Sequence, residues 1–314
     1  MGERKCYMRK YYVSDYWNKG IKGHLNYDFV DVVVNDDNLL FIDPMLLEIA
    51  SDEWCQEANA TVKSFFDAFY EAYRKKDNAK KVELLSHAGE QNGTRLGYGR
   101  GDNGKGNTAR GLLDIFAPLE QLLKEISTME KAEDLPLLIP DFAEDGLSDL
   151  LTNILHAQLN EFTLQQMKKY GVKSNGTMTF GTWDGKEACW KEIERPSYCI
   201  SGLELLVVPK QIVRKNYLFS TSQYFNRIIL DRIREEGGYM DDDKPIPKKD
   251  VVKAKRFSGD HWQYDESVSY TRKNNDALEE YHQKLPSFYS ENGRSTEDEA
   301  LDELIYGYPV VQTT

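Results

Sequence analysis

The residues best suited to chemistry are acids gathered at the start of one predicted helix. Asp141, Asp145 and Asp149 are followed by Asn153, His156 and Asn160. Asp149, Asn153, His156 and Asn160 recur at helical spacing and so share one face, while Leu147, Leu151, Ile154, Leu155 and Phe162 take the other. Asp and Asn oxygens with a nearby imidazole are the hard donors that Mg²⁺ or Mn²⁺ takes. Asp145 and Asp149 are therefore the expected metal ligands, with Glu90 as a further donor. The same residues also fit a plainer role: Ser148 or Asp145 capping the helix, acids suiting its dipole, and a polar stripe facing solvent.

A second set lies on the apolar run GLELLVVPK (202–210), with Glu204 inside it and Lys210 at its end. A carboxylate and a lysine flanking a metal site suit phosphodiester cleavage, in which acids hold the metal and lysine stabilises charge. The arrangement loosely resembles that of PD-(D/E)XK nucleases, whose acid and lysine stand two residues apart; here they stand six apart. On this reading Asp149, Glu204 and Lys210 form the catalytic set.

The stretch GYGRGDNGKGNT (97–108) comes one residue short of a P-loop. Gly106 stands where a magnesium-binding Ser or Thr is needed, and no apolar strand precedes the loop. What remains is a cationic glycine loop opening a helix, with Gly99, Arg100, Gly104 and Lys105 placed to hold a phosphate. A nucleotide-binding switch is the alternative use of the same loop.

These groups sit in a chain of 314 residues that is 29% charged, with net charge −12 and mean hydropathy −0.63. No window approaches the roughly 18 apolar residues of a membrane span, and MGERKCYMRKYY lacks the apolar core of a secretion signal. Cys6, Cys55, Cys189 and Cys199 are scattered, which argues against a zinc site and a disulfide framework. Reduced thiols in a cytoplasmic protein are expected. The negative charge disfavours indiscriminate coating of nucleic acid.

Charge is uneven along the chain. Val207–Arg256 carries twelve Lys or Arg against seven acids, and Asp276–Tyr306 nine acids against two bases. The basic stretch, where Tyr217, Phe219, Tyr224 and Phe225 interleave with Arg214, Lys215 and Arg227, suits a phosphate-facing surface or a partner for the acidic tail.

The elements that must position these residues alternate loosely. Phe29–Val34 and Leu39–Ile42 read as two strands around the turn at 35–38. Asp52–Lys76 reads as a helix with Val62, Phe65, Phe66, Phe69 and Tyr73 as its buried stripe. Helices are expected at Ala109–Ile126, Leu147–Tyr170, Thr221–Glu236, Asn275–Lys284 and Thr296–Ile305. Strands are expected at Leu135–Asp141, Thr177–Thr182, Tyr198–Val208 and Ser267–Thr271. The fold class is α+β (mixed α/β), with a central short mixed sheet flanked by long helices and room for a PD-(D/E)XK-like core. Residues 1–260 are expected to form the core and 261–314 a helical acidic extension.

Three patches, LLFIDP (39–44), DGLSDLLTNIL (145–155) and LLVVPKQIVRKNYL (205–218), resemble uncharacterised bacterial proteins found near phage-defence genes. The resemblance implies a nuclease or a regulatory partner of one. The expectation is a metal-dependent nuclease or phosphodiesterase using Mg²⁺ or Mn²⁺. The alternative is a non-catalytic sensor or regulatory subunit, with a protein partner or a second copy of the chain.

Overall fold

The computed structural model describes residues 9–98, 108–140, 142–237, 240–241, 244–255, 259, 261–293 and 295–310. The chain enters through α1 (Val13–Trp17) and an irregular buried stretch to β1 (Phe41–Ile42). The Asp43 side chain accepts from Met45 N at 2.9 Å and Pro44 follows, so cap and pre-set φ together start α2 (Pro44–Ile49). Asp52 likewise caps α3 (Glu53–Arg74), which buries Val62, Phe65, Phe66, Phe69 and Tyr73 as its spacing predicts. Next come α4 (Asn78–Leu85), α5 (Ala109–Ile115), α6 (Leu119–Glu125) and α7 (Asp134–Leu138). They are followed by α8 (Glu144–Ile154) and α9 (His156–Lys169).

β2 (Gly176–Asp184) and β3 (Cys189–Ser197) form a nine-residue antiparallel hairpin. Trp183 and Trp190 of this hairpin pack edge-on against Phe65 of α3 at centroid distances of 5.2 and 5.7 Å. β4 (Cys199–Ile200) and β5 (Leu203–Glu204) turn about Ser201 and Gly202, both at positive φ, as a tight hairpin requires. β6 (Val213–Arg214) then returns to pair with β1.

The last third is mainly helical. It comprises α10 (Thr221–Tyr224), a π-helical turn at Phe225–Ile229, α11 (Leu230–Glu236), the short pair β7 (Met240–Asp241) and β8 (Lys244–Pro245), and α12 (Lys248–Lys255). α13 (Trp262–Lys273), α14 (Asp276–Glu291) and α15 (Asp298–Tyr306) complete it.

The expected mixed class holds: helices dominate and antiparallel strands accompany them. The sheets differ from the single central one expected. Among the described residues they are four separate two-stranded sheets, and no PD-(D/E)XK core is shown. Three readings change for physical reasons. Leu135–Asp141 was too short an apolar run to separate strand from helix, and α7 occupies most of it. The alternating Phe29–Val34 makes no hairpin, because both of its faces are buried: Val30 N bonds Val208 O, and Val33 bridges Tyr12. Ser267–Thr271 lies inside α13. Two predicted helices are also broken, one before Pro118, which has no N–H to donate, and one at Leu155.

The three quoted patches meet in space. Ile42 N donates to Ser148 Oγ at 3.0 Å, Asp43 N to Ile212 O at 2.9 Å, and Tyr217 Oη to Ile42 O at 2.7 Å. Thus β1, β6 and the side of α8 form one packed unit. The acidic C-terminal helices are tied to the N-terminal stretch and to α7 through buried polar contacts. His24 Nδ1 lies 2.6 Å from Asp302, Tyr306 Oη donates to Asp31 at 2.7 Å, and His282 Nε2 lies 2.6 Å from Asp134.

Candidate functional site

Asp145 and Asp149 stand one turn apart on α8, whose first turn has no side-chain cap. Ser148, between them in sequence, accepts from Ile42 N, so it is a packing contact rather than a cap. Asp149 is only 8% exposed. Burial, followed by the Asp145 charge, pushes the Asp149 carboxyl up to about 8, and Glu90 and Asp37 add to the same negative field. Asp145, half-buried, is raised by desolvation and by the same neighbours together with Glu144. The backbone N–H groups of Gln91 and Tyr98 offset part of this.

The segment 89–98 is therefore the opposite wall of the site. Gly97, at φ +132°, lies so close that a Cβ there would stand 2.7 Å from Asp145 Oδ1. Only glycine admits both that backbone and that approach. Tyr98 Oη donates to Glu144 Oε2 at 2.7 Å, and Asn153 Nδ2 donates to Gly89 O at 2.7 Å. The chain from Gly89 to Tyr98 is thus pinned along α8, and it carries the exposed Glu90 to the rim of the acid pair.

Glu204 has a different role from the one its position suggested. Its carboxylate is buried and lies 2.8 Å from His156 Nε2, accepts from Ser197 Oγ at 2.8 Å and faces Asn160 Nδ2 at 3.5 Å. His156 stacks flat on Phe180 at 3.8 Å. Its Nδ1 receives Gln91 Nε2 at 3.4 Å, while Gln91 Oε1 accepts from Gly93 N at 2.8 Å. Those bonds assign the imidazole one proton, on Nε2 toward Glu204. Glu204, His156 and Gln91 form a buried chain that ends on the loop facing Asp149. The polar stripe of Asp149, Asn153, His156 and Asn160 exists, but it faces the protein rather than solvent. Gln91 was not among the candidate residues, and His156 entered only through its helical spacing with Asn153 and Asn160; no local pattern points to Gln91.

Lys210 belongs elsewhere. Its Nζ donates to His24 O at 2.9 Å and to Asp298 Oδ1 at 2.6 Å, which ties α15 down. Arg232 similarly binds Asp276 and Glu280 of α14, so part of the basic stretch pairs with the acidic tail. Gly99, Arg100, Gly104 and Lys105 of the glycine loop, and Asp141, lie outside the described residues. Thr108, at the end of the loop, caps α5 through Gly111 N at 3.1 Å.

A cleft of about 380 Å³ opens beside the first turn of α8, walled by Glu144, Phe142, Tyr217, Phe219, Trp262 and Tyr264, with hydroxyls from Ser220, Thr221 and Ser222. Aromatic walls with nearby hydroxyls suit a planar, hydrogen-bonding ligand. Among the described residues no three or more His, Cys, Asp or Glu side chains gather closely enough to form a metal cage. The site therefore consists of two raised carboxyls and three further acids in their field, Glu90, Asp37 and Glu144, the last of which also lines the aromatic cleft.

Among the described residues no helix is long and apolar enough to cross a membrane. No curated protein and no solved structure matches the chain. A family model, a domain of unknown function designated DUF8370, matches residues 20–220. That span contains β1, the segment 89–98, the acid pair, the Glu204–His156 contact and β6. The match covers more than half of the sequence, so the chain belongs to the DUF8370 family.

Proposed function

We propose that this protein is a metal-dependent phosphodiester hydrolase acting on nucleic acid in the cytoplasm, with Asp145 and Asp149 holding Mg²⁺ or Mn²⁺. The observation that carries the reading is the Asp145–Asp149 pair itself. Two carboxyls one turn apart, one of them buried and held up to about 8, are charges the fold stabilises poorly without a counter-ion. Perturbed acids gathered at one point are the arrangement expected where chemistry is done. Mg²⁺ is commonly held by one or two carboxylates, with water and substrate phosphate completing its shell, so a closed protein cage is not required. Glu90 at the rim is the further donor, and such a cation polarises a phosphoryl oxygen and lowers the pKa of bound water. The adjoining aromatic cleft supplies faces on which bases stack. Lys210 and Glu204, both engaged in structural contacts, drop out of the catalytic set. The resemblance of the three sequence patches supports a phage-defence setting.

The test is cleavage of single- and double-stranded DNA and RNA with Mg²⁺ or Mn²⁺, repeated with Asp149→Asn and Asp145→Asn. Cleavage that needs the metal and is lost in both variants supports the reading. Absence of cleavage on every substrate, or undiminished cleavage by the variants, overturns it.

A second reading, a non-catalytic partner-binding subunit, is favoured by one observation. Leu25 (66% exposed) and Tyr308 (56% exposed) present large apolar side chains from adjoining segments at the His24–Asp302 contact. Co-purification of a stoichiometric protein partner, lost in Leu25→Asp, supports this alternative.

A further inference from the structure

A second cleft, of about 260 Å³, lies between α2, α3 and the turn leading into α7. Its apolar floor includes Val62 and Phe66, and Glu133 lines its inner end. Glu133 is only 3% exposed, yet its carboxyl accepts no hydrogen bond from another residue among the described ones. The nearest cation and the neighbouring acid are already engaged. Lys131 Nζ donates to both oxygens of Glu48, at 2.8 and 2.9 Å. Asp134, next in sequence, has its own partners: His282 at 2.6 Å, and the backbone N–H groups of Glu130 and Lys131 at 2.8 and 2.9 Å. Glu133 also stands at the start of α7 without capping it.

A buried carboxyl whose one hydrogen bond comes from its own backbone N–H keeps unused acceptor capacity toward the cavity, and leaving that capacity unfilled away from water is costly. The mouth of the cleft adds Asp67 and Glu130 against Lys63, so the balance there is also acidic. The cavity has an apolar stem region and an acceptor at its end, and among the described residues that line it the one half-buried cation, Lys131, is already bound to Glu48 while Lys63 is exposed at the mouth. That excludes an anion and fits a donor carrying positive charge. We propose that this cleft binds a small organic cation, a primary ammonium on a short apolar stem, with the ammonium on Glu133 and the stem along Val62 and Phe66. The site is separate from the acid pair on α8 and stands whether or not that pair holds a metal. Burial, opposed by Lys131, pushes the Glu133 carboxyl up to about 7, and an ammonium seated on it draws out that proton.

The experiment titrates the full chain with n-butylammonium chloride, followed by ligand-observed NMR, with n-butanol as the uncharged probe of the same shape. Saturable binding of the ammonium is expected, with the alcohol and the Glu133→Gln variant each weaker by at least about tenfold, the worth of roughly one charged contact. Glu133→Gln keeps the side-chain volume. If that variant fails to fold, Asn59→Trp, which fills the cleft from α3, must abolish binding. Absence of saturable ammonium binding, equal binding of the alcohol, or unchanged binding in either folded variant overturns the proposal.

Discussion

Tyr289 donates its hydroxyl to Asp43 Oδ2 across 2.6 Å, joining residues 246 positions apart. The other Asp43 oxygen caps α2, so one buried carboxyl orders the start of a helix and receives α14. Tyr289→Phe leaves that carboxyl one donor short, and we expect a loss of about 1–3 kcal/mol in urea unfolding, the usual cost of an orphaned buried acceptor. A loss no larger than that of an exposed Tyr→Phe substitution such as Tyr16→Phe would show that the contact is idle.

The raised carboxyls set a pH dependence. Asp43 and Glu133 are held up at about 7 and Asp149 at about 8, against roughly 4 in an unfolded chain. A folded-state pKa above the unfolded one gives stability that is full below about pH 4 and lost as pH climbs through 7 to 8. Asp149→Asn removes one such group. The variant should match wild type at pH 4 and exceed it at pH 8 by roughly 1–3 kcal/mol, since each unit of displacement is worth about 1.4 kcal/mol before relaxation. Parallel curves for the two proteins would contradict the assignment.

His24 works in the opposite direction. Asp31 N donates to its Nε2 at 3.1 Å while Nδ1 faces Asp302, so the ring is neutral with its proton on Nδ1. Burial lowers its pKa against the pull of Asp302, Asp31 and Asp298. Its stability contribution is present above the unfolded value of about 6.5 and is lost as pH falls below it. Imidazole ¹⁵N NMR should find the Nδ1–H tautomer at pH 7, and proteolysis near α15 should accelerate in acid. An Nε2–H tautomer at neutral pH would refute this.

Gly97→Ala places a methyl against Asp145 Oδ1 in a backbone conformation that side chains avoid. The expected cost is about 1–3 kcal/mol of stability. Mn²⁺ affinity, read by calorimetry, should weaken because Asp145 must swing aside. Unaltered affinity would separate Gly97 from the acid pair.

His156→Ala strips Glu204 of its imidazole and Gln91 of its anchor. A loss of about 2–4 kcal/mol is expected, as for removing one partner of a buried polar pair. His156→Gln, which restores a donor, should recover part of it. Equal losses in the two variants would assign the effect to the Phe180 stack instead.

The sequence made some of this legible. The α3 stripe follows from a 3.6-residue period over 22 residues, long enough to outvote local exceptions. That Asp145 and Asp149 stand one turn apart was legible because the relation is set within one helix. Glu204 and Lys210 were misplaced because their partners are distant: His156 lies 48 residues away and Asp298 88. No local spacing encodes such pairs. Likewise Phe29–Val34 alternates like a strand, but its partners are Tyr12 and the run near Val208, so the expected hairpin had no local cause. The glycine loop drew attention by composition alone.

The clasp between the first forty residues and the last helices has a consequence for biosynthesis. Asp31 and His24 meet Tyr306 and Asp302, 275 and 278 positions later. At translation speeds of about 5–20 residues per second, these groups wait roughly 14–55 s for their partners. During that interval the nascent N-terminal region holds polar groups that its own neighbours do not satisfy. Asp31 Oδ2 and His24 Nδ1 are therefore completed only once α15 has been made, so this region reaches its final packing late in synthesis.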